Sequence, residues 1–109
     1  MLKTRTIARN SSDCGLMVAV ADAHTAAEVA SGLAAEASQW SARAAAGADE
    51  AAEVLNGAMR ARLAARQAER CDTAAEAWGC ARLAWAAVTS ALEASARLNA
   101  EIAEVLAAA

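Results

Sequence analysis

The chain has no proline, no phenylalanine and no tyrosine, and it has one histidine in 109 residues. Without proline, nothing in the sequence strongly breaks a helix. A single histidine leaves no His pair for a metal and no partner for acid–base work. There is no glycine-rich phosphate loop, no Gly-x-Ser-x-Gly and no His-Glu-x-x-His. A di-iron bundle would need Glu-x-x-His pairs, and these too are missing. A non-catalytic protein is expected, with no cofactor and no metal. The formal net charge is -3 and the pI about 5.1. A nucleic-acid partner normally requires a basic face, so none is expected. No apolar run approaches the ~20 residues of a membrane span.

What is present is alanine, about a third of the chain. Alanine has the highest intrinsic helix propensity, so the composition favours an almost wholly helical single domain. The large apolar side chains from His24 onward are few: Val29, Leu33, Trp40, Val54, Leu55, Met59, Leu63, Trp78, Leu83, Trp85, Val88, Leu92, Leu98, Ile102, Val105 and Leu106. Burying such a side chain stabilises by roughly 1.5–3 kcal/mol, against roughly 1–2 kcal/mol of backbone entropy per ordered residue. A core this thin predicts help from a partner chain.

Residues 1–23 are expected to form a basic arm or the early part of the first helix, with residues 24–109 forming the bundle. Lys3, Arg5 and Arg9 precede the first acid, Asp13. The apolar stretch "CGLMVAVA" and the following "ADAH" give the outline of a cleaved secretory signal. The stretch is short and Asp13 stands directly before it, so retention is the leading expectation and export the alternative.

Three helices are predicted. Thr25 and Glu28 have capping-box spacing, and Val29, Leu33, Ala37, Trp40 and Ala44 follow at intervals of three or four. The first helix is therefore placed from Thr25 to about Ala46, with an earlier start near Ser12 allowed by Leu16, Val20 and Ala23. Gly47 is the predicted stop. The second helix runs from Asp49 to about Arg70, with acids at its start, arginines in its second half and a Leu55–Met59–Leu63 stripe. Thr73 and Glu76 repeat the capping-box spacing, so the third helix runs from about Ala74 to the C-terminus. On it Trp78, Trp85, Leu92, Asn99 and Leu106 recur every seven residues, and Ala81, Val88, Ser95 and Ile102 make a companion row. The third helix is longer than the second. Its distal apolar residues, Leu92, Leu98, Ile102, Val105 and Leu106, are expected to run past their neighbour and form an interface with Trp78 and Trp85.

The cysteines Cys14, Cys71 and Cys80 show no zinc-ligand spacing. Nine residues of continuous helix turn by about 900°, half a turn net, and rise about 13 Å. A disulfide needs Cα atoms within roughly 4.4–6.8 Å, so Cys71 and Cys80 meet only if the chain unwinds at Cys71. Three reduced thiols fit a cytosolic protein. The tryptophans are expected to be core anchors for the bundle, or hot spots where another chain docks. Arg62, Arg66 and Arg70 read as a solvated face, and His24 as an exposed residue at a helix start.

The "AAGADE" segment, Ala45 to Glu50, resembles the turn of small helical-hairpin proteins exported by specialised secretion systems. The Trp-x-Gly turn and the Tyr-x-x-x-Asp/Glu export signal of those families are absent, and no function is carried over. The reading is an all-α protein: an alanine-rich three-helix bundle, or a long hairpin with an extra N-terminal helix, expected to be oligomeric. Its expected function is interaction, as a cytoplasmic subunit, adaptor or assembly factor acting through helix–helix packing with copies of itself or with a helical protein. The alternatives are an exported helical protein and a small-molecule sensor with a tryptophan-walled pocket.

Overall fold

A computed structural model describes residues 2–109, with side chains described from residue 14 on. Three helices follow one another: α1 (Leu2–Ala44), α2 (Ala48–Glu69) and α3 (Ala74–Ala108). Cross-helix pairs fix their directions. His24 meets Glu69 and Arg62 meets Ser31, so α2 runs antiparallel to α1. Arg97 meets Glu53 and Ala91 lies beside Gly57, so α3 runs antiparallel to α2 and parallel to α1.

α1 is one continuous helix, and its start lies far upstream of Thr25. Thr25 is not a cap: its hydroxyl donates to the carbonyl of Ala21, four residues back inside the helix. The Thr-x-x-Glu spacing works only where the preceding residues leave the helix, as they do at Thr73. There the backbone is extended, Glu76 N–H donates to the threonine hydroxyl, and that hydroxyl donates to the Glu76 carboxylate.

The α1–α2 turn takes three residues. Ala45 has a positive φ of 52°, and Ala46 N–H donates back to the carbonyl of Ser41, the six-to-one bond of a Schellman ending. Gly47 follows with φ 73°. A Cβ there would lie 2.1 Å from Leu98 Cδ1, so glycine answers both the left-handed backbone and the close approach of α3. Glu101 of α3 stands close by, with its Oε2 3.7 Å from where that Cβ would lie.

At 1.5 Å per residue the helices measure about 65, 33 and 52 Å. They overlap only in part. Gly15 of α1 lies beside Ala74, and Leu98 of α3 lies over the α1–α2 turn. The first turns of α1 therefore continue past one end of the three-helix section, and the last turns of α3 pass the other. The result is a rod 73 Å long and 16 Å across.

The core corrects the sequence reading. Among the described residues 23 apolar side chains are buried, and 19 of these are alanine; the others are Val54, Val88, Leu98 and Ile102. The buried row of α3 includes Ala77, Ala81, Ala84, Ala87, Ala91 and Ala94. On α2 it is Ala51, Val54, Gly57, Ala58, Ala61, Ala64, Ala65 and Ala68. Methyl groups at helical spacing let backbones approach to the short end of the usual 8–10 Å axis separation. At Gly57 the approach is closest: a Cβ there would lie 2.9 Å from Ala91 Cβ and 3.0 Å from the Ala87 carbonyl oxygen.

Candidate interaction surface

The large apolar side chains lie outside that alanine core. Leu55, Met59 and Leu63, the stripe predicted on α2, are all about half exposed or more. Val29 and Trp40 of the predicted α1 stripe are exposed too, and Arg43 lies over the Trp40 ring. On α3 the two seven-residue rows separate. The companion row goes inward with Val88 and Ile102, while Trp78, Trp85, Leu92 and Leu106 face outward. The reason is angular. Trp78 follows Ala77 by one residue, about 100° of helix, and the Ala77 side is the one small enough to meet α1 and α2 at close range.

Seven residues were expected at the interface, and the structure divides them. Trp78, Trp85, Leu92, Val105 and Leu106 are exposed. Leu98 and Ile102 are not available to a partner: at 1% and 8% exposure they close the core beneath the α1–α2 turn. The distal end of α3 does run past α2, but two of its five apolar residues are taken up by its own chain. Missing from the expected surface were Met17, Val18, Leu83 and the α2 stripe.

Two tryptophan contacts place the α3 stripe. Trp85 Nε1 donates to the Asp22 carboxylate at 2.9 Å, so this ring lies along the α1 side of α3 with its polar edge satisfied. Trp78 lies two turns earlier on the same row. On the other side, a shallow groove between α2 and α3 is lined by Leu63, Leu83, Ala87 and Ser90. A wider groove of about 860 Å³ is lined by Met59, Leu63, Asn56 and the arginines Arg60, Arg62 and Arg66. Neither groove has a tryptophan in its wall.

Several charged groups link helices. Glu53 holds Arg97, Glu69 holds His24 at 2.5 Å, and Ser31 accepts from Arg62. Arg62 is thus not simply solvated, and His24 lies within α1 rather than at a helix start. Glu101 stands beside Glu50 at the α1–α2 turn, and the shared hydrogen bond and like charge of that neighbour raise its carboxyl pKa above the ordinary 4.5. At the opposite end Cys71 and Cys80 come together, with Sγ atoms 3.8 Å apart. This is the case in which the two were expected to meet, an unwound chain at Cys71. The chain leaves the helix at Arg70, so Cys71 does not continue the helical count.

Among the described residues no group of three or more His, Cys, Asp or Glu side chains gathers to hold a metal. No described helix is long and apolar enough to cross a membrane. A cut after Ala23 would strip Ala19 and Ala23 from the core and remove the Asp22 acceptor of Trp85. No protein-family model, curated protein or solved structure matches the chain.

Proposed function

We propose that the protein is a non-catalytic assembly protein that works in a reducing compartment and acts by docking its outer apolar rows against helices of a second copy. The observation that carries this reading is the inverted distribution of side chains. Alanine fills the interior, while Trp78, Trp85, Leu92, Leu63 and Met59 stand outside. Burying one such large side chain stabilises by roughly 1.5–3 kcal/mol, several times what one alanine methyl supplies. A substantial part of the apolar surface of these large side chains is therefore left for a partner to cover.

The rod form favours lateral association, because a side of the rod offers a row of such residues along its length. On the α1–α3 side that row is Trp78, Trp85 and Leu92, with Val105 and Leu106 on the free end of α3. Tryptophans with one satisfied polar edge and one open face are common anchors in such interfaces.

The test is sedimentation equilibrium of the full chain over a wide concentration range, beside the Leu92→Glu variant. The expected result is a defined oligomer for the parent chain and a monomer of unchanged helicity for the variant. A parent chain that stays monomeric at the highest concentrations would refute self-association.

A further inference from the structure

We propose that Cys71 and Cys80 form a reversible disulfide that staples the α2–α3 turn to the second turn of α3. The pair is built by the turn. α2 ends at Glu69, and the N–H groups of Arg70 and Cys71 close back onto Gln67 and Ala68. Thr73 then starts α3 from extended backbone. Those few non-helical residues reverse the direction of the Cys71 side chain relative to a continuous helix. Its Sγ lies 3.8 Å from Cys80 Sγ, van der Waals contact for two sulfurs. Both residues are partly exposed, so an oxidant can reach them.

The chemistry needs one co-reactant, a small disulfide such as oxidised glutathione. One cysteine thiolate attacks the oxidant, forms a mixed disulfide and expels one small thiolate. The neighbouring thiolate then attacks the protein sulfur of that mixed disulfide, closing the Cys71–Cys80 bond and expelling the second. Two protein thiols are oxidised, the small disulfide is reduced to two thiols, and the two protons pass to the leaving groups. Reduced glutathione in excess reverses both steps. Partial burial and the Cys80 contact, with Glu76 and Asp72 nearby, push the Cys71 thiol above its ordinary 9.0. A thiol of high pKa is a poor leaving group, so once the bond is closed attack at the Cys80 sulfur, which would expel Cys71, is slowed.

Cys14, exposed on α1, is an internal reference. The full chain would be equilibrated in glutathione buffers of increasing oxidised fraction, quenched in acid, alkylated and digested with trypsin without reduction. Cleavage after Arg70 and Arg82 places both cysteines in the single peptide 71–82. The expected product is that peptide about 2 Da lighter and unalkylated, with Cys14 carrying either alkyl or glutathione. In Cys80→Ser, Cys71 should instead accumulate as the stable glutathione adduct. Peptide 71–82 found alkylated or glutathionylated at both positions under conditions that modify Cys14 would overturn the proposal. A second titration in concentrated urea tests whether the fold is responsible. At least a tenfold lower oxidised-to-reduced ratio is expected there, and an equal ratio would mean that closeness in sequence suffices and the turn contributes nothing.

Discussion

Replacing glycine by alanine at two helical positions should change stability in opposite directions, and the difference measures how closely α2 and α3 meet. Gly32 on α1 has nothing within 4 Å of where its Cβ would stand. Gly32→Ala should therefore realise the whole helix-propensity gain of about 1 kcal/mol. Gly57 on α2 has Ala91 Cβ at 2.9 Å and the Ala87 carbonyl oxygen at 3.0 Å from the same point. Neither group can rotate away, because one is a Cβ and the other is backbone. Overpacking of this kind costs roughly 1–3 kcal/mol, which offsets the propensity gain and leaves Gly57→Ala about 0–2 kcal/mol less stable than the parent. Propensity cancels between the two variants, so their separation of about 1–3 kcal/mol is packing alone. With an unfolding entropy near 2.1 cal/mol/K per residue, a chain of 109 residues shifts about 4 °C per kcal/mol, and the two melting temperatures should differ by about 4–13 °C. Thermal denaturation followed by circular dichroism, at one fixed protein concentration, reads this directly. A Gly57→Ala variant stabilised as much as Gly32→Ala would refute the close approach of α2 to α3.

Other substitutions follow from the same packing. Leu98→Ala, which empties the space over Gly47, should cost about 2–5 kcal/mol in urea unfolding, whereas Leu92→Ala should change the stability of the monomer by less than about 0.5 kcal/mol. Thr73→Ala should cost about 1 kcal/mol through loss of the cap to Glu76, and Thr25→Ala at the apparently identical motif should be neutral or slightly stabilising, as melting of the two variants would show. Because the Glu101 carboxyl is raised, the folded chain holds that proton more firmly than the unfolded chain. Its contribution is therefore present below the ordinary 4.5 and lost as the pH climbs through the raised value. Glu101→Gln should accordingly melt higher than the parent at neutral pH, with the gap closing in acid, and a gap independent of pH would refute the Glu50–Glu101 repulsion.

The helices and the second turn were legible in the residues, because composition and end signals are local. Alanine without proline gives helix, and Thr73 with Glu76 marks a start wherever the chain before them is free to leave the helix. Thr25 and Glu28 carry the same spacing, but Leu16, Val20 and Ala23 continue the helix through them, and an uninterrupted helix has no open N–H for a cap to take. The inward face was misread for a different reason. Large side chains mark a hydrophobic row, and Trp78, Trp85 and Leu92 form a regular one. Three helices that meet at the shortest spacing select volume instead, and the neighbouring alanines win the interior. The signal was present in the unbroken alanine row at 77, 81, 84, 87, 91 and 94. The meeting of Cys71 with Cys80 was visible only as a condition, since it depends on where two or three residues leave the helix.

The slenderness of the molecule changes how it behaves in a column. Its Cα radius of gyration is 18.5 Å, whereas a compact chain of this length would have about 13 Å. The same relation assigns 18.5 Å to a compact domain of about 270 residues. Calibrated against globular standards, a single chain would elute ahead of the position its mass assigns, because an elongated body has a larger hydrodynamic radius than a compact one of equal mass. An early peak is then a property of the rod, carrying no news of how many chains it contains, and a tightly packed side-by-side dimer would elute less far ahead of the monomer than its doubled mass suggests.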